Sequence, residues 1–217
     1  MLSALLLAAG VGAAFPSAGV YRYTAMMSGE NIGSWSVNVT QDASHAQIDE
    51  NSNASVMGLQ VSATASLVLG PDLDPLRYTG TYHTPMQSPN VSIDVTANEA
   101  TASGAMTSQP RHLTLAAGTN HFVVVEPGLL AGLFALPAQL AAWKETTVTW
   151  ITPATAQAQT LTVGTPPSSS RPSDVPASDA LLSVEHPIAV TIWYDPATLV
   201  PDEIGVPSQN AVLRRQR

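Results

Sequence analysis

The stretch Leu59-Gln60-Val61-Ser62-Ala63-Thr64-Ala65-Ser66-Leu67-Val68-Leu69 changes polarity at nearly every step. Leu59, Val61, Ala63, Ala65, Leu67 and Leu69 share one side, and Gln60, Ser62, Thr64 and Ser66 share the other, with Val68 the exception. A period of two puts the apolar set on one face of an extended strand, whereas a helix would scatter it around its circumference. Gly70-Pro71-Asp72 then supplies turn chemistry that ends the strand.

The same rhythm runs outward in both directions. Upstream, Val20 to Met27 is rich in aromatic and branched residues, Ser28-Gly29-Glu30-Asn31 is a turn, and Trp35, Val37 and Val39 alternate with polar neighbours. This reads as a hairpin. Downstream, Leu76, Tyr78, Gly80 and Tyr82 form one face of a strand, and Val91, Ile93 and Val95 form another. Weaker strand signals cover Ala100 to Thr107, Thr146 to Ile151, Gln157 to Val163, Ile188 to Ile192 and Leu199 to Leu213. Pro201 and Pro207 predict an edge position for the last of these. Short turns between successive strands favour antiparallel pairing.

One segment departs from this pattern. From Gly128 to Trp143 the residues Leu129, Leu133, Leu136, Leu140 and Trp143 fall at helical spacing, with Leu130 and Phe134 widening the stripe. The spacing predicts an amphipathic helix, bent or split at Pro137. The expected fold is therefore mainly β: a curved antiparallel sheet or unclosed barrel, a half-barrel, with one amphipathic helix packed on its concave face. Its single domain covers 19–213, with an exposed Pro/Ser-rich loop at 164–179 and a frayed basic tail at 214–217.

Composition bounds the function. Of 217 residues 45% are hydrophobic, enough for a sizeable core, and only 11% are charged, well below the roughly 25% of an ordinary domain. The net charge of −8 repels a phosphate backbone, so nucleic acid is not an expected partner. Cysteine is absent, which excludes disulfides, zinc thiolates and thiol nucleophiles. Met1 to Ala18 opens with an apolar run that ends in small residues, too short for a permanent span, and reads as a signal peptide cut after Ala14 or Ala18. The expected location is periplasmic or secreted, with no stable transmembrane segment.

Several features together resemble the exported half-barrel proteins related to the lipoprotein carriers LolA and LolB. They are Tyr21-x-Tyr23, Ile32-Gly33, the leucine-rich helix and Ile192-Trp193-Tyr194-Asp195-Pro196-x-Thr198-x-x-Pro201. That group includes families of unknown function. The resemblance implies an unclosed barrel wrapped over helix, with an apolar cavity for acyl chains.

Chemistry-bearing motifs are sparse. The five histidines, His45, His83, His112, His121 and His186, form no His-Glu-x-x-His and no His-x-His pair. His112 and His121 could meet across a hairpin, but two unrelated imidazoles are the simpler reading. Asp72 and Asp74 are too few for a calcium loop and read as turn caps. Glu126, just before Pro127-Gly128, is placed to favour the positive end of the helix. No nucleophilic serine motif or phosphate loop occurs. No catalytic residue, metal or cofactor is therefore expected. The aromatic and leucine set Tyr23, Trp35, Tyr78, Phe122, Leu129, Leu133, Phe134 and Trp150 is the candidate lining for a lipid or other apolar small molecule. The alternatives are a structural or interaction module docking an envelope protein, and a hydrolase with an unrecognised site.

Overall fold

The structure, a computed structural model, describes residues 15–56, 58–84, 89–96, 99–104, 109–114, 121–164 and 171–217. The first half of the chain forms β1 (Gly19–Met27), β2 (Glu30–Gln41), β3 (Ala46–Val56), β4 (Leu59–Leu69), β5 (Pro75–His83), β6 (Asn90–Thr96), β7 (Glu99–Ser103) and β8 (Arg111–Thr114). The second half forms β9 (Phe122–Val124), helix α1 (Ala131–Trp143), β10 (Thr147–Thr152), β11 (Gln157–Val163), β12 (Ala180–His186), β13 (Val190–Tyr194), β14 (Pro201–Val206) and β15 (Ala211–Arg215).

All fifteen strands join one sheet in the order β8-β7-β6-β5-β4-β3-β2-β1-β15-β14-β13-β12-β11-β10-β9. Neighbours are antiparallel except β9 and β10, which run parallel on either side of α1. The first and last strands pair in mid-sheet, Tyr23 opposite Arg215 and Met27 opposite Ala211. Consecutive β8 and β9 occupy the two edges. Eight residue steps from Thr114 to Phe122 span at most about 29 Å. The edges of a flat sheet this wide would lie roughly 65 Å apart. The sheet therefore rolls up until β9 rests near β5, and among the described residues no ladder closes it.

Strand β4 behaves as its alternation demands: Ala63, Ala65, Leu67 and Leu69 are buried on the concave face. Leu59, at the rim, is 58% exposed. The helix fills the concavity. Its residues Ala131 to Leu140 are all buried, so it is a plug covered on every side rather than along one stripe. Pro137 lies within it without splitting it. Close approach depends on Gly132, where a Cβ would sit 2.0 Å from the Val124 carbonyl oxygen, a backbone atom that cannot swing aside. Gly80 likewise leaves space for Leu129, which would lie 3.0 Å from a Cβ there.

Three boundaries differ from expectation. The folded part extends upstream of residue 19: Phe15 is 7% exposed within the core, and the Pro16 carbonyl accepts from Gln41 Nε2. Residues 1–14 lie outside the described residues. In the described part of the proline-rich loop, 171–179, Arg171, Ser173, Asp174, Ala177 and Ser178 are exposed, while Val175 and Asp179 are buried and Arg171 lies 4.8 Å over the Trp193 ring. The basic tail is tied down rather than frayed: Arg214 and Arg215 end β15, and Gln216 N–H donates to the Arg22 carbonyl. Arg214 bonds Glu203 Oε2 (2.7 Å) and Asp174 Oδ2 (2.8 Å), while Arg215 and Arg217 both reach Asp202 (3.3 and 3.0 Å). These carboxylates give the arginines partners the sequence did not reveal. Nor is the final hairpin an edge, because Pro201 takes the first position of β14 and Pro207 sits in the turn that follows.

Candidate functional site

A cavity of about 230 Å³ opens at the end of the half-barrel where the β1–β2, β3–β4 and β14–β15 turns gather. Met26, Met27 and Ile32 line it from the first hairpin, Ala54, Val61 and Ala63 from the second, and Val206, Gln209, Ala211, Val212 and Leu213 from the last. Gly128, Leu129, Leu130 and Leu133 at the helix start close its inner side. The void follows from side-chain size: Ala54 and Ala63 stand where larger residues would have met the helix. Its volume exceeds the roughly 150 Å³ void that holds benzene and falls short of a drug-sized pocket of about 300 Å³ or more.

The structure divides the candidate lining residues. Trp35, Leu129 and Leu133 border the cavity. Tyr23, Tyr78, Phe122, Phe134 and Trp150 do not: each is at most 4% exposed and is packed as core. Tyr23 crosses Phe134 edge-on at 6.5 Å and donates to the Pro201 carbonyl (2.8 Å), while Trp150 Nε1 donates to Thr152 Oγ1 (3.0 Å). Fully buried aromatic area stabilises the sheet–helix interface rather than waiting for a ligand.

Behind the cavity lies a feature the sequence reading missed. Glu50, on the concave face of β3, is 3% exposed. The Leu130 and Ala131 N–H groups donate to its Oε2 at 2.6 and 2.8 Å, while among the described residues Oε1 has no partner of good hydrogen-bond geometry. Helix α1 has no side-chain cap of its own, and Glu50 meets its unpaired N–H groups from eighty residues away. Desolvation raises the Glu50 pKa to about 7, opposed by the helix N–H donors. Glu126 does not cap the helix as expected. Its Oε2 accepts from Ala154 N–H (2.8 Å), and burial raises its pKa too. Tyr78 and Tyr82 complete this buried polar group, both pushed upward mainly by desolvation. The Tyr82 hydroxyl donates to the Pro127 carbonyl (2.8 Å). Among the described residues the Tyr78 hydroxyl has no hydrogen-bond partner.

The histidines are dispersed. His112 pairs with Glu99 at the β7–β8 edge. His121 Nδ1 lies 2.7 Å from Asp74 Oδ1, and its ring stacks on Trp143 at 4.4 Å. Trp143 Nε1 and Gln139 Nε2 donate to the Asp72 and Leu73 carbonyls, so the Asp-Leu-Asp turn is clasped by the helix end. Among the described residues no hydroxyl hydrogen-bonds His121, and no group of three potential metal ligands exists. No described helix is long and apolar enough to cross a membrane.

No family model matches the sequence, and no curated protein matches it. Among solved structures, the chain is similar to a β-barrel-like protein of the domain of unknown function DUF1849 from Brucella abortus. The TM-score is 0.51 at 9% identity, covering 94% of this chain and 95% of that one. At this identity the likeness shows a shared β-barrel-like fold.

Proposed function

We propose that the protein is an exported binding protein that shelters the apolar chain of a lipid-like molecule in the cavity at the rim of the half-barrel. The observation that carries this reading is a void lined almost wholly by aliphatic and aromatic side chains, Met26, Met27 and Ile32 among them. A closed core of this size would fill such a void. The resemblance to half-barrel lipid carriers points the same way.

The neutral fluorophore N-phenylnaphthylamine tests the site. It is expected to bind the wild-type protein, and Ala63→Leu, which places branches into the void, is expected to weaken it about tenfold or more. The variant should melt cooperatively, since it fills space rather than displacing packed atoms. Equal binding by wild type and Ala63→Leu would rule out this cavity.

Export makes a second prediction. The Ala14 position leaves Phe15 and Pro16 in the mature chain, where they are buried, while the Ala18 position would strip them away. Intact-mass analysis of the protein from its own host is expected to show a chain starting at Phe15. A mass retaining residues 1–14 would count against export.

A further inference from the structure

We infer that the cavity selects single-chain lipids with an uncharged head group and disfavours the anionic ones, with Glu50 as the residue that sets this preference; the inference rests on the binding function proposed above. None of the eight lysine and arginine side chains lines the cavity, so a carboxylate or phosphate head finds no cation there. The sole lysine, Lys144, caps the far end of the helix.

A helix N-terminus would ordinarily attract an anion. Here Glu50 already occupies that place, accepting from Leu130 and Ala131. Of those two neighbours Leu130 lines the void, and Ala131 follows it in the helix. Glu50 does not itself line the void but lies behind Leu130, so its negative charge acts on the inner end through space, in a region where Glu126 is another carboxylate and Trp35, Tyr78 and Tyr82 are polar neighbours. The exposed Gln209 lines the void with its amide, and the exposed amides of Asn31 and Asn210 and the carboxylate of Glu30 flank lining residues in the adjoining turns. Amides recognise hydroxyl and ester oxygens without demanding charge. The apolar tail therefore enters first and an uncharged polar head stays among the amides.

The expected discrimination follows from Coulomb's law. A unit negative charge about 10 Å from Glu50, at an effective dielectric near 20, is disfavoured roughly tenfold. The test is displacement of N-phenylnaphthylamine at about pH 8, where a fatty acid and Glu50 are both ionised. The competitors are a medium-chain monoacylglycerol and the free fatty acid of the same chain. The monoacylglycerol should displace the probe about tenfold more effectively than the acid. In Glu50→Gln, whose amide oxygen can still accept from the helix, the gap should shrink to within about threefold while monoacylglycerol binding holds.

Equal displacement by both competitors in the wild type would overturn the preference while leaving the binding function standing. A gap that persists in Glu50→Gln would remove Glu50 as its source and overturn the inference. Failure of the wild type to bind N-phenylnaphthylamine would instead sink the binding function itself.

Discussion

Glu50→Gln is expected to stabilise the protein above neutral pH and to leave it unchanged near pH 5. Glu50 is held at a pKa of about 7, against an ordinary value of 4.5. A carboxyl whose folded pKa is raised keeps its proton in the folded state after the unfolded chain has lost its own. Stability therefore falls as pH rises from about 4.5 through 7, and the full loss is present above that window. The size is on the order of 3 kcal/mol at pH 8. Asp179, raised to about 6 by desolvation and by Asp202 beside it, and Glu126, also raised, pull in the same direction. Asp42 and Asp195 are held below the ordinary range by backbone and side-chain donors, so their support is lost only at still lower pH.

Urea denaturation at pH 5 and pH 8 reads this directly. The wild type should lose stability between the two, and Glu50→Gln should lose distinctly less. Glu50→Ala separates charge from hydrogen bonding: it leaves the Leu130 and Ala131 N–H groups without their partner and should cost about 1–3 kcal/mol even at pH 5. A Glu50→Gln variant less stable than wild type at pH 8 would show that the charged cap outweighs its burial cost.

Phe134→Ala is expected to cost about 3–5 kcal/mol, the range for removing a fully enclosed aromatic ring. Phe134 is wholly buried and meets two tyrosines from β1, Tyr21 at 5.3 Å and Tyr23 at 6.5 Å. These contacts lock the helix against mid-sheet, so the loss should appear as a lower urea midpoint with the slope preserved. Leu133→Ala offers the contrast. Leu133 already borders the cavity, so its removal should cost less and enlarge the space for ligand. A Phe134→Ala cost below about 1 kcal/mol would mean the helix is not the structural plug described here.

How much of this was legible in the sequence depended on whether a strand's two faces differ in polarity. Strand β4 was readable to its ends because Leu67 and Leu69 contrast with Ser62, Thr64 and Ser66. Strand β3 went unread. Its concave face, Ala46, Ile48, Glu50, Ser52 and Ala54, carries a carboxylate and a hydroxyl among small apolar residues, and its other face is Asp and Asn rich. Alternation is present there, but burial is decided by the helix end lying overhead, which no local pattern encodes. The helix was placed correctly but mistaken for one-sided, because its surroundings rather than its own sequence determine that every flank is covered. Of the candidate aromatics Trp35 borders the cavity while Tyr23, Tyr78, Phe122, Phe134 and Trp150 are packed away from it, for a related reason. Large side chains fill space, and the cavity formed where Ala54 and Ala63 leave it empty.

The adjacency of β1 and β15 has a consequence for how the molecule comes into being. Residues separated by nearly the whole chain must meet before the middle of the sheet exists, so a ribosome can release almost all of the polypeptide with its keystone still missing. The sheet can therefore be completed only after Ala211–Arg215 has reached β1, which makes its last-formed ladder one of the longest-range contacts in the molecule.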